Sequence, residues 1–149
     1  MSLALEQAQT GNVEVPVGAV IVHREQAIAK AGNLREYEQD PIAHAEIRAL
    51  QAAARKLGRW NLSDCILYVT LEPCPMCMGA ILMARIPLVV CGCRNLKLGA
   101  AGTVLPLHDF PGLPLRCRVE HGVLEEECAR LLKDFFHRQR HLGEVAEPG

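Results

Sequence analysis

Three short runs of β-branched and aliphatic residues, at 15–22 (VPVGAVIV), 65–71 (CILYVTL) and 86–91 (IPLVVC), are too apolar for a sheet wetted on one face. Each predicts a strand buried on both sides, and such a sheet needs helices above and below it. The intervening segments supply them. Asp40-Pro41 predicts a helix start, with Asp as N-cap and Pro at the first helical position. The helix runs to about Leu57 on a stripe of Ile42, Ala43, Ile47, Leu50, Ala54 and Leu57, and Gly58 stops it. Pro73-Cys74-Pro75 opens a second helix to about Ala84. Residues 123–140 read as a closing amphipathic helix with Leu124, Leu131, Leu132, Phe135 and Phe136 facing inward. Residues 27–32 return as a hairpin strand, 33–39 as a polar loop and 115–120 as a short strand. Residues 2–10 read as the end of a short helix stopped by Gly11. The Gly-rich stretch 94–112 is too long for a plain connection and is expected to be functional. This alternation predicts an α/β layer fold with a mixed sheet, as one domain over 1–149 with residues 1–2 and 143–149 frayed.

Sixteen basic against seventeen acidic residues leave a formal charge of −1, which excludes a histone-like polycation. Any nucleic-acid contact must come from a local patch. No apolar run approaches the ~18–20 residues of a membrane span, and the first residues lack the charged start and apolar stretch of a secretory signal. A cytoplasmic location is expected. The seven cysteines are odd in number and irregular in spacing, so they read as thiols, metal ligands or both. Cys65, Cys91, Cys93, Cys117 and Cys128 fall in strands or on a helix face and read as buried thiols.

Two local motifs carry chemistry. His44-Ala45-Glu46 and Pro73-Cys74-Pro75-Met76-Cys77 each sit at the start of a helix. Alone, the His reads more readily as core, and the Cys pair as redox-active, structural or accidental. Together, one His and two Cys are three ligands of the kind zinc accepts, with the fourth tetrahedral position left for water, as in catalytic sites. The helix macrodipole favours the thiolate forms of Cys74 and Cys77. Water bound to zinc becomes a nucleophile near neutral pH. Glu46 then reads as the proton shuttle from that water to the substrate nitrogen and the leaving amine. Its alternative reading is a first-turn acid that suits the helix dipole.

The spacing His-x-Glu…Pro-Cys-x-x-Cys resembles that of the zinc nucleobase deaminases, and the reaction is taken from that resemblance. Beyond it, the chain closely resembles the bacterial tRNA-specific adenosine deaminases, which convert the wobble adenosine of an anticodon to inosine. The matching stretches are Val15-Pro16-Val17-Gly18-Ala19, Asn33, Asp40-Pro41 with Ala43 to Glu46, and Tyr68 to Cys74 with Met76-Cys77 and Gly79-Ala80. They continue through Lys97 to Gly102, Pro111-Gly112, Gly122-Val123-Leu124, Glu127-Cys128 and Leu131 to Phe136, so that the resemblance spans roughly residues 3–140. The zinc motifs are shared by all cytidine deaminase-like enzymes. The Lys97 to Gly102 loop and the Asp134-Phe135-Phe136 helix favour the tRNA branch.

The resemblance implies a three-layer αβα cytidine deaminase-like fold around a mixed five-stranded sheet. It implies one zinc per subunit and a homodimer with active sites near the interface. By position it makes His44, Cys74 and Cys77 the zinc ligands and Glu46 the shuttle. Asn33 would hydrogen-bond the target base, Ala45 would touch it through its backbone, and Val17 and Leu71 would form apolar pocket walls. Lys97, Lys133, Arg138 and Arg140 would meet the backbone of the anticodon stem-loop; without the family they read as a solvated face. Two rival functions remain at this stage. One is a small-molecule deaminase of guanine, cytosine or a nucleoside. The other is a non-catalytic zinc-stabilised partner subunit, which the presence of Glu46 argues against.

The chain departs from the family pattern in three places. Its first helix is about two turns shorter. Ile42 replaces a more usual threonine. Asn95 stands where many relatives carry an aspartate, in a loop expected near the substrate. An amide in place of a charge there predicts relaxed ribose or phosphate discrimination. Asn95→Asp is therefore expected to raise the RNA-to-DNA turnover ratio on matched stem-loops. Equal ratios in the two proteins would refute that role.

Overall fold

The computed structural model describes residues 1–9 and 13–142. The chain runs α1 (Ser2–Ala8), β1 (Gly18–His23), β2 (Gln26–Gly32), α2 (Arg35–Glu38), α3 (Ala45–Leu57) and β3 (Cys65–Leu71). It continues through α4 (Pro75–Met83), β4 (Leu88–Cys93), a 3-10 turn (Leu107–Asp109), β5 (Arg118–Glu120) and α5 (Glu125–Leu142). The strands form one five-stranded sheet in the order β2-β1-β3-β4-β5. β2, β1 and β3 are antiparallel, whereas β3, β4 and β5 are parallel, so the sheet is mixed.

The register shows why the apolar runs were continuous. Ala29, Ile21, Leu67, Val89 and Val119 pair in turn across all five strands. This row joins α3 and α4 in the main core with Ala45, Ala49, Ala53, Met78 and Ile81. Alanines on α3 let that helix lie close to β1 and β2. The opposite face carries α1 over β1 and α5 over β4: a Cβ at Gly18 would meet Ala4, and one at Gly92 would meet Cys128. The result is the three-layer αβα arrangement.

Several element bounds differ from the sequence expectations. The helix expected from Asp40 begins instead at Ala45. Asp40 does cap locally, its carboxylate accepting the Ile42 N–H at 3.0 Å, but it closes a turn. His44 is extended (φ −75, ψ 152) and serves as the N-cap, while Ala43 pairs with Leu34. Four residues of helix are given up so that the imidazole can be delivered at a helix end. The loop at 33–39 contains the single turn α2. β1 starts at Gly18 rather than Val15, β4 runs from Leu88 to Cys93, and β5 covers only Arg118–Glu120. Leu124 and Phe136, expected inside, are exposed, whereas Phe135 is buried. Helical phase explains Phe136, since neighbouring positions on α5 point about 100° apart. Ser2, expected to fray, is the first residue of α1. The first helix, expected over 2–10, ends at Ala8 with Gln9 as its C-cap; Gly11 itself and the expected fraying of 143–149 lie outside the described residues. All five non-ligand cysteines are buried, and burial pushes their thiols up, which suits inert core groups. No helix among the described residues is long and apolar enough to cross a membrane.

Candidate active site

Two helix N-termini meet at one end of the sheet. His44 caps α3, and Cys74 caps α4 in an extended conformation (φ −72, ψ 172). Pro75, the first residue of α4, needs no hydrogen-bond acceptor, and Met78 N–H closes the first turn on the Cys74 carbonyl. One helical turn brings the Cys77 sulfur round beside that of Cys74. His44 Nδ1 lies 3.7 Å from Cys74 Sγ and 3.5 Å from Cys77 Sγ. All three ligand atoms are within 4.8 Å of one another, and they form the one such metal-ligand group among the described residues.

These distances test the fit of a metal directly. A tetrahedral zinc with Zn–N near 2.0 Å and Zn–S near 2.3 Å separates its N and S ligands by about 3.5 Å. The observed spacings agree with that. The protonation chemistry agrees as well. The Cys74 thiol is held down to about 4, chiefly by a hydrogen bond from Cys77 and also by His44, against its own burial. Cys77 is pushed the other way because it keeps the shared proton. His44 is raised, mainly by its hydrogen bond to Cys74. The three groups thus share protons that a cation would displace.

Glu46 is 4 % exposed, and burial pushes its carboxyl up to about 7. A carboxyl in that range both takes and gives a proton near neutral pH. It lines the same pocket as His44 and Cys74. Val17, Leu71, Asn33, Asn95 and Leu98 line that pocket too. Ala45 does not line it; its N–H donates to Asn33 Oδ1 at 2.8 Å, and Asn33 Nδ2 donates to the Val15 carbonyl at 3.0 Å. The two residues expected to hold the base are therefore tied first to each other, between the entry of β1 and the start of α3. Asn95 Oδ1 accepts the N–H groups of Lys97 and Leu98, at 3.3 and 3.0 Å. Lys97 is exposed on that loop, and Lys133, Arg138 and Arg140 are exposed on α5 outside the pocket.

Two buried acids of the pocket escaped the sequence reading. Glu14, 6 % exposed, accepts the N–H groups of Glu36 and Tyr37, at 3.2 and 2.7 Å, and so holds α2 against the pocket. Glu72, 1 % exposed, collects donors from the 95–103 loop. Burial alone would raise its carboxyl, but the hydrogen bonds from Thr103, Ala101 and Asn95 outweigh it and hold it below the usual range. The one signal in the sequence was an acid directly following an otherwise buried strand.

A mixed sheet whose helix ends deliver His, Cys and Cys beside a buried Glu defines a zinc-dependent deaminase site. Comparison with known proteins agrees. The cytidine and deoxycytidylate deaminase zinc-binding region matches residues 1–93. The tRNA-specific adenosine deaminase of Bacillus subtilis (strain 168) is 47 % identical over 127 residues, which is 85 % of this chain and 79 % of that protein. A solved structure from studies of A-to-I editing by wobble-position tRNA deaminases superposes with a TM-score of 0.85. It is 39 % identical and the match covers 89 % of this chain and 97 % of that one. The guanine deaminase from Nitrosomonas europaea superposes less well, with a TM-score of 0.77 at 26 % identity, covering 90 % of this chain and 81 % of that one. The chain belongs to the tRNA-specific adenosine deaminases within this zinc-binding family. Its cofactor is Zn²⁺.

Metal analysis of purified protein is expected to find about one zinc per chain, falling to a small fraction in Cys74→Ala or His44→Ala. Full zinc in either variant would remove that residue from the ligand set.

Proposed function

We propose that the chain hydrolyses the 6-amino group of the wobble adenosine in a tRNA anticodon loop, taking up water and releasing inosine and ammonia. The observation that carries this reading is the convergence of His44, Cys74 and Cys77 beside buried Glu46, in a chain 47 % identical to a tRNA-specific adenosine deaminase. His44, Cys74 and Cys77 hold one zinc per subunit, which when bound lowers the proton affinity of water.

The remaining work belongs to the chain's own residues. The target base is flipped out of the anticodon loop to reach the pocket. Val17 and Leu71 offer it apolar walls. Asn33 keeps one of its two amide hydrogens for the edge of the base, the other being spent on Val15. Ala45 acts through Asn33, since its N–H holds the Asn33 carbonyl. Glu46 takes the proton of the attacking water on its carboxylate and passes it to the ring nitrogen; it then takes the proton of the hydroxyl added at C6 and hands it to the amine, which leaves as ammonia as the C6 carbonyl forms. Burial keeps that carboxyl able to run in both directions. Asn95 lines the wall beside the sugar. Lys97, Lys133, Arg138 and Arg140 contact the phosphates of the anticodon stem-loop. Two copies associate as a homodimer, and the enzyme acts in the cytoplasm on its tRNA.

Wild type and Glu46→Ala, each incubated with an anticodon stem-loop, with guanine and with cytidine, test the reading by mass spectrometry. Inosine from wild type is expected, with a loss of about 10²–10⁴-fold in the variant at unchanged zinc content. Xanthine or uridine without inosine would move the enzyme to small-molecule deamination. The backbone contacts have their own signature. With four phosphate contacts, affinity for the stem-loop should fall about fifty-fold between roughly 50 and 200 mM salt. A flat salt response would refute the patch, and light scattering at the monomer mass would refute the dimer.

A further inference from the structure

Glu72 does something the deamination chemistry does not require. Its carboxylate is 1 % exposed and takes four donors from one segment. Oε1 accepts the Asn95 N–H at 3.4 Å and the Thr103 hydroxyl. Oε2 accepts the N–H groups of Ala101 at 3.0 Å and Thr103 at 3.2 Å. An ionised carboxylate has about four acceptor positions, so none is left for a substrate or a proton relay.

The segment from Asn95 to Thr103 is wrapped around this group. A Cβ at Gly99 would lie 2.5 Å from Glu72 Oε2 and 2.5 Å from the Asn95 carbonyl oxygen, so only glycine fits there. Gly99 N–H closes back on Asn95 at 2.9 Å, and Ala100 N–H reaches the Pro73 carbonyl at 2.8 Å. Glu72 N–H itself is bonded to the Cys93 carbonyl at 2.9 Å. Asn95 and Leu98, carried by this segment, form part of the pocket wall. The carboxylate that holds the wall is two residues from Cys74, which also lines the pocket. Wall and zinc ligand are therefore set at a fixed offset by one stretch of backbone.

We propose that Glu72 is a positioning residue that builds the 95–103 wall of the substrate pocket and thereby sets the affinity for the nucleotide rather than the rate of its chemistry. This inference rests on the deaminase reading above. Replacing one carboxylate oxygen by an amide puts a donor against donors, and the segment has to move away. The wall then shifts while His44, Cys74, Cys77 and Glu46 keep their places.

Steady-state kinetics on the wobble-adenosine stem-loop test it, with Glu72→Gln, Glu72→Asp and Thr103→Val beside wild type. Glu72→Gln should raise KM about tenfold or more with kcat changed less than about threefold and zinc content unchanged. Glu72→Asp, which keeps the charge with shorter reach, should recover part of the KM. Thr103→Val removes one donor and should raise KM about two- to fivefold, and it carries the test if Glu72→Gln does not fold. Unchanged KM in a folded variant, a loss confined to kcat, or loss of zinc would overturn the proposal. Failure of the underlying reading looks different, because wild type itself would then make no inosine. In that case the same kinetics are run on whichever base wild type deaminates, together with amide exchange at Ala101 and Thr103. Exchange at least about tenfold faster in Glu72→Gln than in wild type would sustain the positioning role, and equal exchange would end it.

Discussion

The structure depends on the meeting of two helix N-termini at one end of a sheet buried on both faces. Each helix end presents unpaired N–H groups and a partial positive charge. Bringing two of them together places two sulfurs and an imidazole within 4.8 Å of one another, where they share protons through hydrogen bonds. Cys74 is held down to about 4 within this cluster, while His44 is raised. His44 lies 30 and 33 residues from the two cysteines in sequence, and only the packing of α3 and α4 against the sheet aligns them. The small alanines of α3 and the apolar residues of α4 therefore serve the site as directly as its ligands do.

Three buried glutamates surround the pocket, and the same side chain does a different task in each place. Glu46 sits in a dry position where burial dominates, and its carboxyl rises to about 7. Glu72 is equally buried, but four donors compensate it and hold it ionised. Glu14 accepts two backbone N–H groups and anchors α2. The donors facing the carboxylate separate Glu72, held below the usual range, from Glu46, which burial raises.

Much of the fold was legible because the signals were local. β3 was read at its true bounds, since a strand buried on both faces leaves no polar interruption. The end of α3 was legible because Gly58 adopts φ 69, a left-handed cap that suits glycine. The start of α3 was not, because Asp40-Pro41 is a genuine turn former and looks the same whether a helix follows at once or four residues later. The hydrogen bonds that decide the matter are made with Asn33 and Leu34, which directly follow β2. Phe136 was misplaced for a similar reason: two adjacent aromatic residues on a helix cannot both face one core, and only packing selects between them.

The branch of the family followed from resemblance; the sequence by itself determined the layered α/β class and the chemistry of the ligand set. Those properties reside in residue types at short spacing, and a helix start or a Cys-x-x-Cys turn has nearly the same geometry wherever it occurs. Only the tertiary structure decided that His44 Nδ1 stands 3.5 Å from Cys77 Sγ, that Asn33 and Ala45 hold each other, and that Glu14 and Glu72 brace the pocket walls. Glu72 and Thr103 are 31 positions apart, and no local pattern encodes a contact at that distance. A carboxylate reads as surface until its donors are known, and donors are supplied by backbone that folding alone brings near.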